Sequence, residues 1–174
     1  IVSEIMITGG EMVAIEAETG SGTFQFGELD GNGDIVAGKN ELYVYKVSAI
    51  DNQRQASKFT IHLVSAEYFI NETSRCNFKF KSQTIDKHVK QILGPHVMNV
   101  DPDRIGTIEE TKNTYSFMGN MRKPFYTIQW LCPKSISNSS SKAKGESGED
   151  GTTNGKAKGT TGFMFFENKA GFNF

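Results

Sequence analysis

The runs LYVYKV at Leu42–Val47 and KFTIHLV at Lys58–Val64 decide the fold class of this chain. Both are rich in aromatic and β-branched residues, a composition that is typical of β-strands. The polar segment Asp51–Gln55 between them predicts a turn, because Asp and Asn side chains stabilise turn conformations. Together the two runs predict a pair of antiparallel strands.

The sequence before these runs predicts further short strands. Val13–Ala17 has a period of two, as do Phe24 and Phe26. Turn signals rich in Gly and Asn separate the strands: Gly9-Gly10, Gly20-Ser21-Gly22 and Asp30-Gly31-Asn32-Gly33-Asp34. Several short antiparallel strands at this spacing indicate a barrel or a sandwich.

The apolar period changes from that of a strand to that of a helix after Phe80. Four apolar side chains then share one helical face: Ile85, Val89, Ile92 and Leu93. Thr84 is a plausible N-cap, and Gly94-Pro95 is a stop signal. Residues 85–93 therefore predict a short helix.

A second short helix and a hairpin are predicted near the end of the chain. Pro124 is a favoured first helical residue, and Phe125, Ile128, Leu131 and Cys132 follow at helical spacing. Pro133 predicts a kink or an early end. The apolar alternation of Phe163–Phe174 predicts a β-hairpin with its turn at Asn168–Gly171.

A polar segment at 136–161 separates the second helix from the hairpin. It is rich in Ser, Gly and Lys and has almost no apolar side chain. Such a segment buries too little surface to offset the entropy of ordering it. It therefore predicts a flexible surface insertion.

Composition excludes several classes of protein. The chain has 19 Lys and Arg against 20 Asp and Glu, and this balance argues against a duplex-binding module. No apolar stretch has the length of a membrane helix, and no secretion signal begins the sequence. Cys76 and Cys132 form no CxxC pair, which favours a reduced compartment over a disulfide framework or a zinc ribbon.

The clearest metal motif is a low-probability calcium loop. Asp30, Asn32, Asp34 and Glu41 occupy positions 1, 3, 5 and 12 of such a loop, and all supply hard oxygen ligands. Ile35 stands where the loop needs glycine for its sharp turn, and the flanks are strand-like. A polar hairpin loop without metal is therefore the favoured interpretation, and no cofactor is expected.

The catalytic alternatives are weaker. A cysteine nucleophile would need Cys76 or Cys132 beside one of the three histidines, which are His62, His88 and His96. Both cysteines lie on apolar stripes, so we expect them to be small core residues. The sequence therefore favours a protein that is not an enzyme.

The ordered set of these pieces resembles the baseplate hub proteins of contractile-tailed bacteriophages. In that family, a strand ending in a turn like Leu63–Tyr68 leads into a helix like Ile85–Leu93. A helix like Pro124–Leu131 and a hairpin like Phe163–Phe174 follow. The pieces cover most of the chain, and Pro133 and the long insertion depart from the pattern.

The resemblance implies an α+β, β-rich fold. Residues 1–66 would form an antiparallel, tube-type β-barrel portion, and residues 67–174 a smaller α/β domain with two short helices and a C-terminal β-hairpin. The ragged ends at Ile1 and Phe174 suggest a segment of a longer subunit that continues into a second barrel.

The resemblance also implies a mechanical role. Such hub subunits form a homotrimeric ring in the virion that adapts the sixfold tail tube to the threefold central spike. Their partners are the tail-tube protein, the spike protein and other baseplate proteins, and genomic DNA passes through the channel as cargo. The subunit would be located in the tail baseplate, and in the host cytoplasm during assembly. A β-sandwich adhesin or carbohydrate-binding module, calcium-dependent or not, is the alternative.

Overall fold

The computed structural model describes residues 7, 9–20, 22–36, 41–52, 57–138 and 162–174, and its fold is mixed α+β with a large share of strand. The chain divides into two compact units, Ile1–Ile70 and Asn71–Phe174. This confirms the predicted fold class at the level of a β-rich α+β protein.

The first unit is built from short strands. They are β1 (Met12–Val13), β2 (Ile15–Thr19), β3 (Gly22–Phe26), β4 (Leu42–Asn52) and β5 (Ser57–Ser65). Strands β1, β4 and β5 form one antiparallel sheet in that order, and β2 pairs with β3. The strand predicted at Val13–Ala17 is confirmed for Ile15–Ala17, but it is not continuous, because the chain leaves one sheet at Ala14 and enters another.

The described strands do not close into a barrel. They form one three-stranded sheet and three two-stranded sheets, each with free edges. The predicted turn at Asp51–Gln55 lies partly outside the described residues, because 53–56 are not among them.

A helix that the sequence analysis does not predict follows β5 directly. Helix α1 (Ala66–Thr73) begins where the boundary between the two predicted domains was placed. The described chain thus has three α-helices rather than two. The run Tyr68-Phe69-Ile70 resembles the continuation of a strand, whereas Glu67 in the first turn favours a helix start.

The second unit packs helices against a two-stranded sheet. Its elements are β6 (Lys79–Thr84), α2 (Ile85–Leu93), β7 (Thr114–Met118), α3 (Pro124–Leu131), β8 (Phe166–Asn168) and β9 (Gly171–Asn173). Two short 3₁₀ turns, Pro102–Arg104 and Cys132–Lys134, complete it. Strand β6 pairs antiparallel with β7.

The core of this unit contains the predicted helical face. All four predicted apolar residues of α2 are fully buried, as are Ile128 and Leu131 of α3. Phe80 of β6 stacks on Phe117 of β7 with ring centroids 4.4 Å apart and planes inclined by 10°. Helix α2 is therefore confirmed in both position and orientation.

The second predicted helix and the hairpin are also confirmed. Helix α3 begins at Pro124 and ends at Leu131, where the chain tightens into the 3₁₀ turn that contains Pro133. In the hairpin, Asn168 pairs with Gly171, so that Lys169-Ala170 forms the turn. Gly171 has φ +111°, and a Cβ at this position would lie 2.1 Å from the carbonyl oxygen of Arg104.

The first residues of the predicted insertion at 136–161 belong to the fold. Ser137 is buried and bridges to Thr111, and the amide of Lys112 donates to the carbonyl of Ile136 at 2.8 Å. The amide of Asn138 donates to the carbonyl of Glu110 at 2.9 Å. Residues 136–138 are therefore part of the fold, and the rest of the predicted insertion lies outside the described residues.

Candidate functional site

Strands β4 and β5 form an amphipathic ribbon. Cross-strand pairs lie on the same face of a sheet, and here the two faces differ in polarity. The apolar pairs are Val44–Leu63 and Val47–Ile61, and the polar pairs are Lys46–His62 and Ser48–Thr60. A register shift between Val44 and Lys46 keeps Val44 and Val47 on the same face, although they lie three residues apart.

The apolar face of the ribbon is covered at only one end. Val44 is 3% exposed, whereas Ile61 and Phe59 are 37% and 38% exposed. Phe59 shares the face of Ile61 because side chains alternate along a strand. Phe59 and Ile61 are thus in contact with solvent, whereas a sheet with a packed face would bury them.

The edges of the ribbon are also unpaired in the part of the chain that the structure describes. The β1 segment pairs with β4 only over Leu42–Val44, where Val44 exchanges backbone hydrogen bonds with Gly10 and Glu11, and β5 pairs only with β4. Beyond Lys46 the ribbon is therefore two-stranded. Isolated two-stranded ribbons are marginally stable in water, and unpaired edges are templates for another strand.

Aromatic residues join the covered end of the ribbon to helix α1. Tyr45 lies edge-on to Tyr68 with ring centroids 5.4 Å apart, and Tyr43 to Phe69 at 5.9 Å. Tyr45 is nevertheless 53% exposed. The beginning of α1 therefore fixes one end of the ribbon and leaves the apolar surface at its other end open.

The predicted calcium residues form a closed hairpin turn rather than an open loop. One carboxylate oxygen of Asp30 accepts the amides of Asn32 at 2.8 Å and Asp34 at 2.9 Å. The amide of Asp30 donates to the carbonyl of Asp34 at 2.8 Å, and Leu29 bridges to Ile35. Hydrogen bonds to the side chain and backbone of its own residues thus stabilise this turn.

Glu41, the fourth predicted calcium ligand, has a different role. The hydroxyl of Tyr43 donates to its carboxylate at 3.3 Å. Burial raises the pKa of Tyr43, and the charges of Glu41 and Glu67 raise it further. Across the described ranges, no group of three or more His, Cys, Asp or Glu side chains is arranged to hold a metal ion.

The two cysteines are core thiols. Cys76 and Cys132 are both buried and free, and burial raises the pKa of each. The sulfur of Cys132 donates to the carbonyl of Ile128 at 3.4 Å, one turn earlier. A raised pKa disfavours the thiolate, which is the reactive form.

The histidines have partners other than cysteine. His62 Nε2 lies 2.7 Å from Ser48 Oγ across the ribbon, and His88 Nε2 lies 2.8 Å from the carbonyl oxygen of Tyr115. His88 is fully buried and lies edge-on to the stacked rings of Phe80 and Phe117, and its Nδ1 has no partner. His96 is exposed. The Ser48–His62 pair is an exposed cross-strand contact that the sequence analysis did not predict.

The second unit carries a cleft between β7 and α3. Its volume is about 190 Å³, and its lining includes Phe117, Arg122, Tyr126 and Trp130. Tyr126 is 51% exposed and Trp130 37% exposed. The cleft thus presents aromatic rings to solvent beside a cation.

A rigid turn forms one wall of this cleft. The amide of Met121 donates to the carbonyl of Cys76 at 2.9 Å, and the amide of Cys76 donates back to the carbonyl of Arg122 at 2.9 Å. Gly119 approaches the same strand so closely that a Cβ would lie 2.3 Å from the carbonyl oxygen of Cys76. Asn120 and Met121 both have a positive φ, which is uncommon outside glycine and requires such a fixed backbone.

Two cations lie over the exposed rings. The guanidinium carbon of Arg122 is 5.3 Å from the ring centroid of Tyr126, and Lys134 Nζ is 3.9 Å from that of Trp130. Lys134 also donates to the carbonyl of Trp130 at 3.0 Å. Among the described residues, neither cation forms an ion pair, whereas Lys123 is paired with Glu72 and Arg104 with Glu167.

A larger cavity of about 340 Å³ lies beside the C-terminal hairpin. Phe163, Phe166 and Phe174 line it together with Glu109, whose carboxylate accepts the hydroxyl of Ser137. No cationic side chain is among its described lining residues. The β7–α3 cleft differs from it in having Arg122 among its lining residues.

The comparisons with protein-family models, curated proteins and solved structures find no match for this chain. None of the helices within the described ranges has the length and hydrophobicity that crossing a membrane requires. The β4–β5 ribbon and the β7–α3 cleft are therefore the two surfaces from which a function can be proposed.

Sequence reasoning missed the cleft, although signals for it were present. Tyr115, Ser116 and Phe117 continue the alternation of a half-buried strand, and β7 has that burial pattern. Trp130 is the only tryptophan of the chain, and Lys134 follows it at helical spacing. The left-handed turn at Asn120 and Met121 has no comparable signal.

Proposed function

We propose that this chain is a structural subunit of a phage tail baseplate hub, in which it forms part of a homotrimeric ring between the sixfold tail tube and the threefold spike. The observation that carries the proposal is the β4–β5 ribbon, whose apolar face remains uncovered at Phe59 and Ile61. The order of elements that resembles hub proteins supplies the identity of the assembly.

Apolar surface that remains in contact with water is unfavourable in free energy. A two-stranded ribbon does not bury enough apolar area to be stable alone, so its open end needs a partner. In a cyclic trimer the apolar end of the ribbon in one copy packs on a different surface of the next copy, and the closed ring covers every such end without leaving a free edge. A ring subunit is therefore a direct solution to the exposed face.

The tube-type barrel is part of this proposal. The β1–β4–β5 sheet supports it because its unpaired edges are the places where further strands would add. Residues 1–66 would supply the barrel portion, and residues 67–174 the domain outside it. The tail-tube protein, the spike protein and other baseplate proteins would be the contacts, with DNA as cargo in the channel.

A mechanical role agrees with the chemistry of the described residues. Both thiols are buried and have raised pKa values, which disfavours a role as nucleophile. Exposed aromatic side chains such as Phe59, Tyr126 and Trp130 are available for contacts with other proteins. The near-neutral charge suits a protein whose partners are other proteins.

The alternative, an adhesin or carbohydrate-binding module that depends on calcium, has less support. The carboxylate of Asp30 is engaged by the amides of its own turn, and that of Glu41 by Tyr43. Calcium binding would need both groups to exchange these partners for the ion.

Sedimentation velocity tests the proposal with two matched variants. The chain should sediment as a trimer of about 58 kDa, three times the 19.2 kDa of one copy. Ile61→Asp should shift it to the monomer, because it places a charge on the apolar face. Thr60→Asp carries the same charge on the polar face of the same strand and should leave the trimer intact. A wild-type chain that remains monomeric at high concentration would contradict the proposal.

A further inference from the structure

The β7–α3 cleft offers a binding surface that the ring proposal does not use. It lies in the second unit and is formed by Phe117, Tyr126 and Trp130, with Arg122 at its wall. Met118 and Met121, at 55% and 62% exposed, add apolar surface beside it. Methionine adapts to irregular partners and is frequent at protein-binding surfaces.

Two positive charges lie against the aromatic rings of the cleft. Arg122 and Lys134 lie over the aromatic rings, and in the described part of the chain neither has a carboxylate partner. Lys123, their neighbour, is neutralised by Glu72. A ligand that enters the cleft therefore meets the positive charge of Arg122, and Lys134 offers a second positive charge over Trp130, beside the cleft.

The same two cations restrict the class of ligand. Sugars and nucleic-acid bases bind aromatic side chains by stacking on a ring face. Here Arg122 covers one face of Tyr126 and Lys134 one face of Trp130, while Tyr115 and Phe117 pack against Trp130 with centroids 5.8 and 5.5 Å away. The exposed rings are thus less suited to stacking than to holding cations in place for an anion.

We propose that this cleft binds an acidic peptide segment of a partner protein. One carboxylate of the segment pairs with Arg122 and a second pairs with Lys134, at the two ends of α3, and an apolar side chain between them packs on Met118 and Tyr126. The turn at Gly119–Arg122 fixes the backbone of Arg122, and the ring of Tyr126 lies under its guanidinium, so that less freedom is lost on association. The charge pairing gives the interaction its specificity and its sensitivity to salt.

The test selects binders from a random peptide library on the immobilised full chain. The selected peptides should be enriched in Asp and Glu next to aromatic or aliphatic residues. The best peptide should change the fluorescence of Trp130, the single tryptophan of the chain, in a saturable way. Arg122→Gln should weaken its binding about tenfold. Lys87→Gln, the same charge change at an exposed site on α2, should not affect it.

Three outcomes would overturn the proposal. The library could yield no binder or no excess of acidic residues. The peptide could bind the Arg122→Gln/Lys134→Gln double variant as tightly as the wild type. Chitin oligosaccharides or oligothymidylate could change Trp130 fluorescence at lower concentrations than the peptide. Because the cleft and the ribbon lie in different units, sedimentation of the Arg122→Gln variant as a trimer separates this test from that of the ring.

Discussion

The hydroxyl of Thr111 accepts the backbone amide of Asp86 at 3.1 Å and donates to the carboxylate of the same residue at 2.9 Å. The amide of Thr111 donates to that carboxylate as well, at 3.2 Å. Thr84, the predicted N-cap of α2, occupies the cap position, but its side chain accepts no backbone amide. A residue 25 positions downstream thus satisfies the amide that a local cap would ordinarily bind.

Thr111→Val should lower the free energy of unfolding by about 1–3 kcal/mol. The substitution keeps the shape of the side chain but removes both hydroxyl hydrogen bonds, and the buried amide of Asp86 loses its acceptor. Urea denaturation followed by circular dichroism measures the change. Thr114→Val, at an exposed position of β7, is the control and should change stability by less than about 0.5 kcal/mol.

Asp86→Asn should make the protein less sensitive to acid. Burial by itself raises the pKa of Asp86, but hydrogen bonds from Thr84 and Thr111 and the charge of Lys90 outweigh it and hold the pKa below its usual value. A carboxyl with a lower pKa in the folded state contributes stability above about pH 4 and loses this contribution as the pH falls through the folded value. The wild type should therefore exceed Asp86→Asn in stability at neutral pH, and the difference should shrink below about pH 4. A difference that is constant with pH would show that the carboxylate charge makes no contribution.

Gly171→Ala should destabilise the second unit by about 2–4 kcal/mol. A Cβ at this position would clash with the carbonyl oxygen of Arg104, and the positive φ is unfavourable for any L side chain. Thermal unfolding of the variant tests this, with Gly31→Ala as the control. A Cβ at Gly31 meets nothing within 4 Å, so equal losses in the two variants would contradict the packing around Gly171.

Both cysteines should resist alkylation in the native protein. Iodoacetamide reacts with thiolates, and burial raises the pKa of Cys76 and Cys132. We expect native labelling roughly a hundredfold slower than that of a free thiol, and labelling of both residues in denaturant. Mass spectrometry of the intact chain counts the adducts. Rapid native labelling of either residue would revive the cysteine-nucleophile hypothesis.

The sequence predicts α2, α3 and the C-terminal hairpin correctly because each combines a clear period with a boundary residue. Gly94-Pro95 ends α2, Pro124 begins α3, and Gly171 permits the tight turn of the hairpin. Such signals are local, so a single segment contains all the information that they require.

Helix α1 shows where local signals fail. Tyr68 and Phe69 favour a strand by composition, but they lie on a helix that packs them against Tyr45 and Tyr43 of β4. The Thr111–Asp86 cap and the left-handed turn at Asn120 likewise depend on residues distant in sequence. Tertiary contacts decide these features, and a propensity argument does not include them.

The sequence also does not predict which end of the β4–β5 ribbon is exposed. The alternation of Phe59, Ile61 and Leu63 places these side chains on one face of β5. It does not predict that Val44 is covered while Ile61 and Phe59 are exposed, because this depends on where the other elements of the unit end. The exposed end is the feature from which the proposed ring follows.

Photo-cross-linking from the ribbon tests the proposed ring most directly. A benzoylphenylalanine placed at Phe59 should link neighbouring copies on irradiation, and the ladder should end at the trimer because a closed ring has no free interface. The same group at Thr60, on the polar face, should give no linked species. Absence of cross-links from Phe59, equal cross-linking from both positions, or a ladder that continues past the trimer would contradict the account.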